Sequence, residues 1–408
     1  MTASPTSKYA TLFVFITVFL DMVGFGMIIP VQPAIIQEVG KMDLAHAAYI
    51  GGWLFFAFSM TQFLFGPALG NLSDAYGRRP LLLIAVFGLG VDFLITALAP
   101  NLFWLFVGRT FAGLCGGSYV IANAYIADVT PPEGRAKAFG LMGAAFGMGF
   151  VIGPAIGGLL GAYGPRIPFY VAAGVSLLNF VFGYFVVPET LKAELRRPFE
   201  WARANPIKTF AIFQNYRGVM PLCGVLFIYF FSTAVYPAIW PFWSMAKFGW
   251  GATMIGLTLA MFGIVMAFTQ GVLTGPVVKR LGEWNTALLG LVVTVIGALG
   301  YGLAPTLGAI LALMIVHGGE GFVHPMVSAL ISKQVPDDAQ GELQGGLSSL
   351  MSVAMLLGTV FFSQIFGYFM SGAAGFISPN VPMFVSAFVS VFALVLFAMT
   401  SNKEKTAE

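Results

Sequence analysis

The sequence predicts an all-α membrane protein whose chain crosses the bilayer twelve times, as two pseudo-symmetric six-helix bundles. Three observations carry that expectation. The 408 residues are 58% hydrophobic and only 9% charged, where a soluble domain carries about 25% charge. Twelve apolar segments follow one another through the chain, most of them near the roughly 20 residues that a spanning helix needs. The second half also repeats the first at a shift of 205 residues, so that Gly70 lands on Gly275, Gly77 on Gly282, Pro131 on Pro336, Glu133 on Asp338 and Gly140 on Gly345. A repeat of that length fits a transporter built from two related halves, with a site near the midplane.

The segments lie at about 9–36, 47–69, 81–99, 102–127, 137–161, 167–187, 218–245, 252–275, 284–303, 306–332, 341–369 and 381–400. The first follows one early Lys8 and has no small-residue cleavage pattern, so it reads as a span rather than a removed leader. It holds Asp21 roughly midway. Between the second and third lies Gly70-Asn-Leu-Ser-Asp-Ala-Tyr-Gly-Arg-Arg-Pro80, which reads as a tight loop at a membrane surface. There Asp74, Arg78 and Arg79 are expected to pair or to cap helix ends. Gly70 and Gly77 would let backbones approach closely or take positive φ. The second segment contains Gln62, the third Asp92, and the fourth Arg109 with Asp128 at its end. The fifth carries Gly149, Gly153, Pro154, Gly157 and Gly158, preceded by Gly143 and Gly147. It reads as a kinked helix with a small-residue face suited to close contact.

The sixth segment closes a first bundle over 1–187. A linker at 188–217 holds Lys192, Arg196, Arg197, Arg203, Lys208 and Arg217 against Glu189, Glu194 and Glu200, and a second bundle occupies 218–408. In the seventh segment Tyr236, Trp240, Pro241, Phe242 and Trp243 form either an interfacial belt or an aromatic wall of a substrate cavity. The eighth contributes Gln270. The tenth reads His317-Gly-Gly-Glu320-Gly-Phe-Val-His324. On an ideal helix those three titratable side chains point within an arc of roughly 60°.

Charge sets the orientation. With both termini inside, sixteen of the twenty Lys and Arg fall on the cytoplasmic side, and Lys41, Arg166 and Lys247 lie outside. The net charge of +3 is dispersed over loops and does not point to nucleic acid. Cys115 and Cys223 both lie in apolar segments, so no disulfide framework follows. No metal signature, nucleophile motif or nucleotide loop suggests an enzyme. Ionisable groups inside a bilayer are costly and are functional candidates by default. For Asp21 the alternatives are a structural contact and a carboxylate that alternately holds a proton and faces substrate. For Asp92 they are a substrate or relay role and a structural pair. For Arg109 they are a proton pathway and a fixed pair with an acid. Asp128 with Arg78 or Arg79 reads as a state-dependent gate.

The stretch G-x-L-S-D-x-x-G-R-R-P resembles the loop 2–3 signature of the major facilitator superfamily. The run G-x-x-x-G-P-x-x-G-G from Gly149 to Gly158 resembles the antiporter signature of its drug/proton exporters. The first-span pattern LDxxGxGxxxPVxP, Gln62, Asp92 and LQGxxxSL from Leu343 to Leu350 are similar to the tetracycline/proton antiporters. That likeness covers about 12–369. It implies the major facilitator fold and proton-coupled efflux of an amphiphilic drug-like molecule across the bacterial inner membrane by alternating access. A tetracycline-like antibiotic is the first expectation. Proton coupling is then expected of Asp21, Arg109, Asp92 and Glu320. The substrate cavity is expected to use Gln62, Asp92, His317, Glu320, His324, Gln270 and Trp240, and the gate Gly70, Asp74, Gly77, Arg78, Arg79 and Asp128. No cofactor is implied beyond the proton gradient, although a tetracycline would arrive as its magnesium chelate. The implied partners are substrate, protons and lipid, with the protein working as a monomer. The alternative on the same fold is a facilitator or proton symporter importing a small metabolite. The tenth span departs from the tetracycline exporters, which carry apolar or small residues there, and this bears on the substrate.

Overall fold

Long apolar helices make up nearly all of the computed structural model, which describes residues 5–200, 210, 213, 216, 218–336 and 339–404. Arg203, Lys208, Arg217 and Lys405, counted in the charge asymmetry, and Asp338, the repeat partner of Glu133, lie outside the described residues. No strand occurs among the described residues. Among the described residues, eleven stretches are long and apolar enough to cross a membrane. They carry twelve spans, because Ala252–Leu303 is 52 residues long. At 1.5 Å per residue that is roughly 78 Å, more than twice the hydrocarbon thickness. Gly282, with φ 77° and ψ 166°, breaks it into an eighth and a ninth span.

Four spans, the first, fourth, seventh and tenth, are punctuated at positions the repeat relates. The first runs as Pro5–Ile28, a 3-10 turn at Ile29–Val31 and Gln32–Gly40. Pro30 and Pro33 lack the N–H that an unbroken helix needs. The seventh breaks correspondingly between Val219–Thr233 and Val235–Phe248. The fourth splits at Gly116 and Gly117, between Leu102–Cys115 and Ser118–Val129. The tenth splits at Gly318–Phe322, between Leu307–His317 and Val323–Ser332. Asn101 caps the fourth and Thr306 the tenth, each side chain accepting from the backbone N–H three residues on; the two caps are themselves 205 positions apart.

The loop expected over Gly70–Pro80 is almost absent. The second span continues as helix to Tyr76 and the third starts at Arg78. Only Gly77, at φ 109° and ψ 157°, leaves the helical region. Both Gly77 and Gly282 sit in backbone space that is essentially reserved for glycine. A single such residue turns the chain, so no longer loop is needed.

Contacts divide the chain into two units. One comprises Met1–Met42, Ala57–Asn205 and Trp250–Ala260; the other comprises Asp43–Phe56, Pro206–Gly249 and Met261–Glu408. The first unit is cored by residues such as Phe13, Leu82, Ile121, Tyr125 and Met142. The second is cored by Val225, Leu291, Val327, Leu343 and Phe397, with Trp284 stacked on Phe397 at 3.9 Å.

In the first unit the fifth span, Pro132–Gly161, lies along the first. A Cβ on Gly149 would meet Phe19 O and Met22 Cβ, one on Gly153 would meet Val23 O, and one on Gly157 would meet Met27 O. These glycines recur every four residues, so the bare stripe faces one neighbour. Gly158 looks the other way, where a Cβ would lie 2.5 Å from Ala252 O. Its own carbonyl accepts from Thr253 Oγ1 at 3.0 Å.

Candidate functional site

At the joint between the second and third spans, Arg78 is the hub. Its guanidinium donates to Ser73 Oγ at 2.7 Å and to Asp128 Oδ2 at 3.1 Å, and lies 2.5 Å from Asp74 Oδ1 as an ion pair. Thr190 Oγ1 donates to the same Asp128 oxygen at 3.3 Å. The backbone N–H groups of Arg78 and Arg79 donate to the two carboxylate oxygens of Glu189, at 2.9 and 3.2 Å. A carboxylate is thus seated on the N-terminus of the third span, where the helix dipole favours it. Arg79 turns away, donating to Tyr184 O at 2.7 Å and lying over that ring. Glu189 escaped the sequence reading because it stood only as one charge among nine in a linker. Gly70 has open space except for Val120, so close approach is not its role.

Deeper in the first unit, Asp21 is 2% exposed; neither carboxylate oxygen makes an aligned hydrogen bond, and the Ser118 hydroxyl of the fourth span faces it. Asp92 is fully buried and ion-paired through Oδ2 to Arg109 Nη2. Thr96, one turn on, donates to its Oδ1 at 3.5 Å. Room for this pair comes from Gly108, where a Cβ would stand 2.8 Å from Asp92 Oδ1. The structure therefore brings Arg109 together with Asp92 and leaves Asp21 apart from both.

In the second unit His317 and Glu320 are 1% and 5% exposed. His317 Nε2 lies 2.9 Å from Glu320 Oε2 without hydrogen-bond alignment. The same nitrogen is 3.3 Å from Tyr236 Oη, and Nδ1 is 3.2 Å from Tyr301 Oη. Phe262 stacks on the imidazole. His324, expected on the same stripe, does not join them; it is exposed and packs edge-on to Phe230. The 3-10 segment explains the miss. It turns about 120° per residue instead of 100°, so five such residues rotate the following helix by roughly 100° out of the expected register.

The remaining expected cavity residues are dispersed. Gln62 Nε2 donates to Gly116 O at 2.9 Å, which holds the break in the fourth span. Gln270 is exposed, in a π-helical turn at Thr269–Leu273. Trp240, Phe242 and Trp243 are at most 3% exposed, so they are core of the second unit and not an interfacial belt. An open cavity of about 460 Å³ in that unit is lined by apolar side chains including Phe213, Met220, Phe227 and Leu350. The volume suits a drug-sized ligand, but none of the expected substrate residues lines it. Among the described residues no group of His, Cys, Asp and Glu is arranged to hold a metal.

A family model, the Major Facilitator Superfamily, matches residues 14–359 and 222–408. The chain is 39% identical over 360 residues to the tetracycline resistance protein, class C, of Escherichia coli, covering 88% of this chain and 90% of that one. It is 33% identical to the class E protein of Escherichia coli, with 86% of each covered. Among solved structures, the nucleoside transporter NupG superposes with a TM-score of 0.77 at 15% identity, covering 96% of this chain and 98% of that one; this likeness speaks to the fold alone.

Proposed function

The chain belongs to the major facilitator superfamily, a multi-pass membrane protein and a secondary transporter rather than an enzyme, and from that premise we propose that it exports a tetracycline-like drug in exchange for protons. The observation that carries the reading is Asp21, a buried carboxylate with no ionic partner among the described residues, in a chain alike over most of its length to tetracycline resistance proteins. An unpaired charge is costly in apolar surroundings. Binding a proton removes that cost, and so does a path to water, so the protonated form favours the closed-off conformation and the charged form a hydrated one. A ligand moves such an equilibrium only through differential affinity for the two states.

Arg109 offers its guanidinium to Asp92. A change in protonation at Asp92 alters the strength of their attraction, which makes the pair a second lever on the same helices. The Arg78 network with Asp74 and Asp128 serves as the latch of one state. Its bonds are charge-assisted and clustered, and they must part when the second and third spans tilt. The substrate reaches the protein as a magnesium chelate, with no resident cofactor. The protein acts as a monomer in the bacterial inner membrane, with both termini in the cytoplasm.

The test is tetracycline uptake into inverted vesicles with an imposed pH gradient and magnesium present. Accumulation in an acid lumen is expected, and its loss in Asp21→Asn. Uptake that ignores the gradient would sink the antiport reading. Movement of substrate with the protons, rather than against them, would favour the importing alternative.

A further inference from the structure

The cavity of about 460 Å³ in the second unit has no part in the reading above. We infer that it is a lipid site, which takes one acyl chain of an anionic phospholipid of the cytoplasmic leaflet into a groove between the seventh and eleventh spans. The site stands whether or not the transported molecule is a tetracycline.

The groove exists because the two halves of the chain pack differently at matched positions. In the first unit Gly149, Gly153 and Gly157 bring the fifth span onto the backbone of the first. The shift of 205 residues carries these three onto Ala354, Gly358 and Phe362 of the eleventh span. Only the middle glycine is kept. A Cβ on Gly358 would stand 2.5 Å from Phe231 O, so the seventh and eleventh spans touch there. One and two turns before that contact, Ala354 and Leu350 stand where the first unit has Gly149 and Ala145. Their larger side chains hold the helices apart. The cavity opens between Leu350 and a seventh-span face of Met220, Cys223, Gly224, Phe227 and Ile228. In the first unit the matching face, around Phe19 and Met22, is closed by Gly149.

Shape and lining select the occupant. The five seventh-span residues recur at helical spacing and form one stripe. From 220 to 228 the stripe runs roughly 12 Å, close to the roughly 15 Å of hydrocarbon in one leaflet. Phe210 and Phe213 of the linker complete the wall at the end where, in the orientation set by Lys and Arg, the cytoplasm lies. No lining side chain carries a charge, an amide or a hydroxyl. The most polar is the Cys223 thiol, a weak donor. A magnesium-chelated drug would leave its oxygens without partners there. Water is not held by such a space either, whereas an acyl chain meets carbon along its length and gains dispersion contacts. Charge sets the headgroup. The linker that supplies Phe210 and Phe213 holds six Lys and Arg against three Glu, and a basic segment at a cytoplasmic surface attracts anionic lipid.

The test is photocrosslinking of the full chain in phosphatidylcholine vesicles that contain a trace of phosphatidylglycerol with a diazirine on its acyl chain. Mapped by mass spectrometry, adducts on the buried groove residues Cys223 and Leu350 should be at least as frequent as those on Leu178 and Phe185, exposed on the sixth span. Adducts confined to exposed residues would mean boundary lipid only and would overturn the site. Leu350→Trp, which fills the groove, should cut the adducts on Cys223 roughly tenfold. Those on the sixth span should stay, and they also report that the variant is inserted. Should that variant fail to insert, Met220→Trp fills the groove from its exposed rim, and unchanged adducts on Cys223 in an inserted variant would overturn the site. A phosphatidylcholine probe with the same labelled chain should mark Cys223 less, and equal marking would overturn the anionic headgroup. Loss of the groove adducts on adding tetracycline with magnesium would assign the cavity to the drug and overturn the lipid reading.

Discussion

Gly108 and Gly297 solve the same steric problem in the two halves. Each gives up a side chain so that a buried polar group can sit against its helix. Gly108→Ala should push Asp92 off Arg109 and lower the rate of proton-driven uptake roughly tenfold, about 1.4 kcal/mol in the barrier. Initial rates in vesicles measure this, with drug binding checked separately, and an unchanged rate would mean that the pair plays no part in coupling. Charges are conspicuous in apolar runs, so Asp21, Asp92, Arg109 and Glu320 were legible in the sequence as candidates. Their partners were not. Nothing in linear order ties Arg109 to Asp92 across two helices, or turns His324 away from His317. The second case needed knowledge of a short 3-10 segment, which only the run of glycines after His317 hinted at.

Among elements, the joints were legible where the two halves echo each other. The shift of 205 residues placed Gly282 on Gly77, and both take backbone angles that other residues avoid. Their surroundings differ, and so should their mutants. At Gly282 nothing lies within 4 Å of a Cβ. Gly282→Ala should therefore cost only backbone strain, about 1–3 kcal/mol. At Gly77 a Cβ would also come within 2.8 Å of Glu189 Cδ. Gly77→Ala should lower the thermal midpoint further and slow transport, because the Glu189 carboxylate loses its seat on Arg78 and Arg79. Equal midpoints for the two variants would argue against the Glu189 cap. The loop between the second and third spans was overestimated because Asp, Arg and Gly suggest a solvated turn. In the structure Asp74, in the last turn of one helix, pairs across Gly77 with Arg78, the first residue of the next.

For the whole molecule, the twelve spans were legible from hydropathy, and the family from motif spacing. The orientation rests on the distribution of Lys and Arg. It predicts that Lys41→Cys reacts with a membrane-impermeant maleimide added to intact cells, while Lys192→Cys reacts only after the cells are opened. Cys115 and Cys223 are buried, so background labelling should be small. The reverse pattern would invert the topology and, with it, the direction of export. The apolar cavity of the second unit was the least legible feature. The open cavity is walled by aliphatic and aromatic side chains, and such residues are too common in a membrane chain to stand out in sequence.

A joint made of Gly77 alone has mechanical consequences. Two dihedral angles connect thirty-three residues of one helix to twenty-one of the next, so there is no slack to absorb a twist. Torque on the second span passes directly into the third, where Asp92 sits one rigid arm away from the pivot. Lengthening that pivot by two or three flexible residues should leave the protein inserted and its ionisable groups in place, yet let one arm swing without the other, so that protons and drug leak independently.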